Sequence, residues 1–423
     1  MLSVKNRSLF FAGFAIVIFK QPLQYLLGDL QLPILAAGIG LCVLASFFIL
    51  NKFRFKKEDV LLQFLFAAIF ILHCLLAFFG VTANRSLWFS GLAQFLVVIL
   101  FLHYRKDEGA WRFLKKIAFA IIFVECALAF LQLSYYSTGV GLPPVFDEYE
   151  SYSLVSGSYF NSNDFAVFAA AFSMLLYCIC VLEEKEGYGI ALLGVAMMAV
   201  FVSLSRTAFV FMSLFAIAVL FGSFKNIASS PKKNRSLTGL IAIALTFLAV
   251  LYLLGSEFLT STSVFERSLS RLDQVSVEGL STDESASDRM LVYRRLWENL
   301  PNLGIGSFQD QYYSAYFKPG DYSLMQINPH SFVAEFFFLY GWIGGLIAVC
   351  LIFILSLKIL RNRDLPLTIR VVIVVSLVFF QSISSSTLAN ASFFIPFILI
   401  AYVRKDLVRS RIYGLPVLDR AGG

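Results

Sequence analysis

Three isolated side chains in this 423-residue chain have the chemistry and the surroundings to act on an anionic substrate: Arg206, Arg289 and His330. Arg206 sits in Ser205-Arg206-Thr207-Ala208, between two apolar runs, with an almost immediate helix reversal on its N-terminal side. An arginine snorkelling from a helix end would occupy the same place. Charge at membrane depth is costly, however, so each instance is a functional candidate, and a buried anion partner accounts better for this one. Arg289 belongs to Asp288-Arg289-Met290-Leu291-Val292-Tyr293-Arg294-Arg295-Leu296-Trp297. On a helix it shares a face with Tyr293 and lies near Leu296, while Arg294 and Arg295 fit a solvated face as readily as a ligand. A guanidinium matches phosphate oxygens with two parallel donors and stays protonated, which suits a diphosphate leaving group. His330 lies in Asn328-Pro329-His330-Ser331, just before an apolar run containing Glu335 and Tyr340-Gly341-Trp342-Ile343-Gly344-Gly345. Pro329 turns the chain, so His330 falls at a helix start, where an imidazole can take a proton from a hydroxyl.

Other chemistries find less support. His73 and His103 lie in or at the inner end of apolar runs and read as structural. Asp147-Glu148-Tyr149-Glu150, and Asp283-Glu284 with Asp288, are acidic clusters without a nearby histidine or an apolar helix end, and read as solvated loop rather than metal sites. There is no phosphate-binding loop, dinucleotide fingerprint or nucleophile elbow. Cys42, Cys74, Cys126, Cys178, Cys180 and Cys350 all lie inside apolar stretches and read as small core residues, not disulfides or ligands.

The elements that must position these residues are membrane helices. The composition is 59% hydrophobic and 14% charged, with 46 Phe and 18 Tyr, far from an ordinary soluble domain. In hydrocarbon each backbone amide must be satisfied within its own segment, so long apolar runs mean helices, and the short alternating strands of a barrel are absent. Apolar runs lie near 8–27, 32–50, 58–79, 86–103, 113–134, 163–182, 188–204, 206–223, 237–255, 331–358, 367–384 and 390–403. The fold class expected is an all-α polytopic membrane protein of about twelve transmembrane helices. Lys20-Gln21-Pro22 interrupts the first run and predicts a kink there. That run lacks a small-residue cleavage site and reads as an anchor.

One set of alternating loops holds the larger share of the 34 Lys and Arg residues. The positive-inside rule makes that set cytoplasmic, together with both termini. The net charge of +7 is therefore an orientation signal and no nucleic acid is expected as a partner. The expected organisation is transmembrane helices 1–9 over 1–255 with an outer loop at about 135–162, a large periplasmic loop or cap over 256–330, helices 10–12 over 331–403, and a cytoplasmic tail over 404–423. The first outer loop is rich in Tyr, Ser and Gly. The cap carries helical pattern at 287–299, then Pro301 and a Gly304-x-Gly306 turn. No internal repeat is visible. From the residues alone, the reading is an outward-facing site for an anionic, lipid-borne ligand.

Four motifs in order then resemble the O-antigen ligase/polymerase superfamily, polytopic membrane glycosyltransferases with a GT-C-type fold. They are Gly157-Ser158-Tyr159-Phe160-Asn161-Ser162-Asn163-Asp164-Phe165-Ala166, similar to the family's Gly-x-Phe-x-Asn-Pro-Asn-x-x-Ala; Ser205-Arg206-Thr207-Ala208; Arg289 to Trp297 followed by Pro301 and Gly304-Ile305-Gly306; and Asn328-Pro329-His330-Ser331 leading to Tyr340-Gly341. The family's His-Asn is His330-Ser331 here, and its Asn-Pro-Asn is Asn161-Ser162-Asn163. The resemblance implies inverting transfer, without metal or other cofactor, of a glycan from an undecaprenyl-diphosphate carrier to a sugar hydroxyl at the periplasmic face of a bacterial inner membrane. Arg206 and Arg289 would hold the diphosphate and His330 would activate the acceptor. Asn161, Asn163 and Asp164 would shape the site, with Tyr293, Arg294, Arg295, Asn328 and Glu335 as further substrate contacts. The acceptor would be a second lipid-linked repeat unit in a polymerase or lipid A-core in a ligase, and a chain-length regulator is an implied partner. The divergent Asn328-to-Ser331 motif and the acidic 278–288 segment lean towards a polymerase. A transporter or flippase for lipid-linked sugars remains open and would predict charged or broken helices at the bilayer midplane.

Overall fold

A computed structural model describes residues 2–28, 31–50, 59–79, 96–143, 155–159, 162–203, 205–227, 284–307, 316, 331–381 and 394–409. All regular elements among them are helices. They are α1 (Leu2–Ile18), α2 (Lys20–Leu27), α3 (Gln31–Leu50), α4 (Val60–Phe79), α5 (96–104), α6 (Glu108–Thr138) and α7 (Ser162–Leu182). There follow α8 (Glu186–Val202), α9 (Arg206–Ile227), α10 (Glu284–Asn299), α11 (Phe332–Arg361), α12 (Leu367–Phe379), α13 (Phe394–Tyr402) and α14 (Lys405–Arg409). Among the described residues α6, α7 and α11 are long and apolar enough to cross a membrane, and the α1–α2 pair makes a fourth span if counted as one. Shorter apolar helices accompany them, and the run expected at 237–255 lies outside the described residues.

Local sequence sets the helix limits. The chain bends by 62° between α1 and α2, where Pro22 is tolerated because it falls in the first turn of the new helix. Asp107 caps α6 by accepting from the Ala110 amide at 3.0 Å, and left-handed Gly139 closes it just past the apolar run. Ser331 caps α11, accepting from the Ala334 amide at 3.2 Å. Gly13 and Gly38 let α1 and α3 touch: a Cβ on Gly13 would come within 2.7 Å of the Gly38 carbonyl oxygen. Such small-residue contacts replace the hydrophobic drive that lipid does not supply.

Helix α7 is the centre of the bundle, buried along almost its whole length against α6, α8, α9 and α13. Cys178 and Cys180 are both buried there although they point to different faces, because α7 is surrounded. All six cysteines are free thiols, and Cys350 is exposed rather than in the core.

Two ends of the bundle differ in chemistry. At one end Lys115 pairs with Glu183, Asn362 donates to the Ile400 and Val403 carbonyls at 2.9 Å each, and Asp59 is shared by Arg105 and Lys358. Tyr402 donates to Asp59 at 2.6 Å, and its ring lies 5.1 Å from Arg105 and 4.9 Å from Lys358. One buried carboxylate thereby ties the start of α4 to the ends of α5, α11 and α13. Together with Lys185, Arg361 and Arg404 these residues make this the basic end. The starts of α7, α9, α11 and α13 lie at the other end. Phe332 meets Phe394 there at 4.8 Å between ring centres, and Phe211 of α9 meets Phe379 at the end of α12 at the same spacing.

Candidate functional site

The non-basic end gathers the sequence motifs, and each is held by contacts that the sequence does not announce. Residues 155–159 form a buried loop just before α7. Two fully buried side chains of α6, Glu125 and Gln132, secure it. Seven residues apart, they share one helix face. The Gln132 Oε1 accepts from the Ser156 and Gly157 amides at 3.0 and 2.9 Å, and its Nε2 donates to the Gly157 carbonyl at 2.6 Å. The Glu125 carboxylate accepts from the Ser158 amide at 3.0 Å and from its hydroxyl at 2.5 Å. Gly157 is left-handed at φ 57°, and a Cβ on it would fall 2.6 Å from both Glu125 Oε2 and Phe165 Cδ2. Only glycine fits. The amides of residues 156–159 and the Ser156 and Gly157 carbonyls are thus satisfied by protein, as irregular backbone at membrane depth requires.

From this loop the chain passes into α7, whose first turn carries Asn163 and Asp164, both half-buried. The Asp164 Oδ1 is buried with no hydrogen-bond partner among the described residues. Asn161 lies outside the described residues.

Arg206 is the first residue of α9, and its Nη1 is buried. The reversal from α8 is built on serines: the Ser203 hydroxyl donates to the Val200 carbonyl at 2.6 Å and accepts from the Ser205 amide at 3.4 Å. The Phe209 amide then bonds to the Ser205 carbonyl at 3.0 Å to start α9. A guanidinium at the positive end of a helix dipole is disfavoured in isolation, and a helix N-terminus and an arginine together attract an anion.

Helix α10 joins the start of α11. The Tyr293 hydroxyl bonds the Ser331 hydroxyl at 2.9 Å, next in the chain to His330. Arg289 lies one turn before Tyr293 on the same helix; its side chain, like His330 and Asn328 entirely, is outside the described residues. Arg295 is buried and donates to Glu298 at 2.5 Å, and exposed Arg294 reaches the same carboxylate at 3.1 Å. Both side chains therefore have a local acidic partner. The Asn299 side chain ties the end of α10 to the Arg295 carbonyl and, at 3.3 Å, to the Tyr316 carbonyl; burial raises the Tyr316 phenol above its ordinary value.

The glycine motifs meet backbone to backbone. Helix α11 breaks at Gly341 (φ 62°, ψ −150°), and the Gly304-x-Gly306 turn fills the break. The Trp342 amide donates to the Gly304 carbonyl at 3.2 Å, the Ser307 amide to the Phe338 carbonyl at 2.9 Å, and the Trp342 indole to the Leu300 carbonyl at 3.0 Å. A Cβ on Gly341 would sit 2.6 Å from the Gly306 nitrogen. Below the break Tyr340 bonds His73 Nδ1 at 3.0 Å, a structural place for that histidine. Glu335 is buried one turn into α11, its amide bonded to the Ser331 carbonyl at 2.9 Å.

The structure thus puts Asn163, Asp164, Arg206, Tyr293, Ser331 and Glu335 at one end of the bundle, with Arg294 and Arg295 turned to Glu298. Sequence reasoning missed Glu125 and Gln132. The signal was present, since an acidic residue inside an apolar run is a functional candidate by default. No group of three or more metal-ligating side chains occurs among the described residues.

Apolar helices with buried polar groups gathered where their ends meet define a polytopic membrane protein with a polar site at one end of the bundle. Residues 190–349 match the family model described as O-antigen ligase, and this supports the O-antigen ligase/polymerase superfamily. The matched span runs from α8 into α11 and includes Arg206, Arg289, His330 and Tyr340-Gly341. No curated protein and no solved structure matches the chain.

Proposed function

We propose that this chain is a membrane glycosyltransferase that takes its glycan from an undecaprenyl-diphosphate carrier. The observation carrying the reading is the Tyr293–Ser331 bond, which fastens the arginine-bearing helix α10 to the residue that follows His330 in the chain, inside the span that matches the O-antigen ligase family. In the reaction, the acceptor hydroxyl oxygen attacks the anomeric carbon of the donor sugar. The bond from that carbon to the diphosphate oxygen breaks, the electron pair leaves with the diphosphate, and the acceptor's proton passes to His330. Arg206, Arg289 and the start of α9 stabilise the charge that develops on the leaving group, where loss of one such donor costs about 10²–10³ in rate. Attack from the face opposite the leaving group inverts the anomeric centre. No step calls for a metal, and activity undiminished in EDTA is expected.

As an O-antigen polymerase the enzyme would join repeat units that are both carrier-linked, at the periplasmic face of the inner membrane. The ligase reading is favoured by the description of the matching family model, and it differs only in the acceptor, lipid A-core. A transporter would need an open break near the bilayer midplane. The α11 break at Gly341 is instead filled by the 304–306 turn.

The test is in vivo. Arg206→Ala and Arg289→Ala, each at normal protein level, should abolish polysaccharide assembly; assembly unchanged in both variants would refute the diphosphate clamp.

A further inference from the structure

Two kinds of polar chemistry occupy different elements at the non-basic end. Arginines sit on α9 and α10, whereas the loop before α7 and its first turn present an amide and a carboxylate, Asn163 and Asp164, with no arginine or lysine. Amide and carboxyl oxygens accept from sugar hydroxyls, and neither group brings the positive charge that holds a diphosphate. Asp164 Oδ1 is buried and, among the described residues, accepts from nothing, an arrangement that costs free energy unless a ligand supplies a donor. The approach to this pair is not left to chance. Five hydrogen bonds from Glu125 and Gln132 fix Ser156, Gly157 and Ser158, and Gly157 leaves no room for a side chain between Glu125 and Phe165. A buried carboxylate and amide in a membrane helix are expensive, and here they spend their hydrogen-bonding capacity on one short loop. That is how an uncharged-ligand subsite is held rigid.

We infer that the Ser156–Ser158 loop, with Asn163 and Asp164 in the first turn of α7, forms a sugar-binding subsite, separate from the diphosphate site, in which Asp164 and Asn163 accept glycan hydroxyls and Glu125 and Gln132 are the positioning residues. It rests on the proposed glycosyl-transfer reading for its physiological ligand but not for its test. Glu125 and Gln132 do not touch the glycan. They act through the Ser156–Ser158 backbone.

The probes are the free repeat-unit oligosaccharide, released by mild acid from the host's own surface polysaccharide and carrying no phosphate, and inorganic diphosphate. Binding of each to the purified full-length protein in detergent is measured by calorimetry. Asp164→Asn and Ser158→Ala should weaken oligosaccharide binding about tenfold, the scale of one or two lost hydrogen bonds, and leave diphosphate binding unchanged. Arg206→Ala should do the reverse. Ser158→Ala removes only the hydroxyl contact to Glu125, so it stays informative if Glu125→Gln or Gln132→Leu fails to fold, and Ser158→Thr should restore binding. Wild-type oligosaccharide affinity in Asp164→Asn and Ser158→Ala, or an equal loss for both probes, overturns the subsite. Oligosaccharide bound as expected by a protein that transfers nothing would keep the subsite and sink the transferase reading.

Discussion

Replacing Gly341 by alanine tests how the loop carrying α10 is fastened to the helix that follows His330. The backbone at φ 62° and ψ −150° is open to glycine alone, and forcing another residue into it costs about 1–3 kcal/mol. The new Cβ would press on the Gly304 carbonyl and lie 2.6 Å from the Gly306 nitrogen, both of them backbone atoms that cannot swing aside. Relief comes only by undocking the turn, which surrenders the bonds from the Trp342 amide, the Ser307 amide and the Trp342 indole. Undocking gives up those three bonds, at about 1 kcal/mol each, in either protein, so the variant shifts the balance by the strain alone, about 1–3 kcal/mol. The rest of the bundle keeps its contacts, so local release is expected rather than global unfolding. Hydrogen exchange read by mass spectrometry should show amides 303–307 exchanging about five- to a hundredfold faster, with α7 unchanged and transfer activity lowered. Gly40→Ala is the control: nothing lies within 4 Å of its Cβ position, and exchange should not change. Wild-type exchange at 303–307 in Gly341→Ala would refute the reasoning.

Two further outcomes follow from the same contacts. Asp59→Ala leaves buried Arg105 and half-buried Lys358 without their shared carboxylate, a loss of about 3–5 kcal/mol. Folded yield should fall sharply while the specific activity of the folded fraction stays at wild type; reduced specific activity at normal yield would contradict a structural role. Tyr293→Phe deletes the bond to Ser331 but leaves the Ser331 cap on Ala334, so transfer should slow about fivefold without loss of protein level, and an unchanged rate would detach α10 from the site.

The helices were legible where local rules act alone. Lys20-Gln21-Pro22 marked the bend between α1 and α2, the 287–299 pattern marked α10, and Gly304-x-Gly306 marked the turn behind it. Pairings across the chain were not. Nothing near Gly341 indicates that Gly306 will lie against it, nor does the spacing of Glu125 and Gln132 name the Ser156–Ser158 loop as their target, since such contacts depend on packing over sequence separations of dozens of residues. The Asp59 cluster was hidden for the same reason, its partners lying at the ends of α5, α11 and α13. Arg294 and Arg295 show the converse. Their type suits an anion, but Glu298, one turn on, engages both.

The central claim is glycosyl transfer with His330 in the chemistry, and reconstitution tests it most directly. Purified protein in liposomes is given an undecaprenyl-diphosphate-linked repeat unit, wild type beside His330→Ala, and the products are read by gel and mass spectrometry. The account predicts a ladder of lengthened lipid-linked chains, or transfer once lipid A-core is added, that disappears in the variant. Neither product from the wild type, or equal product from both proteins, would contradict it.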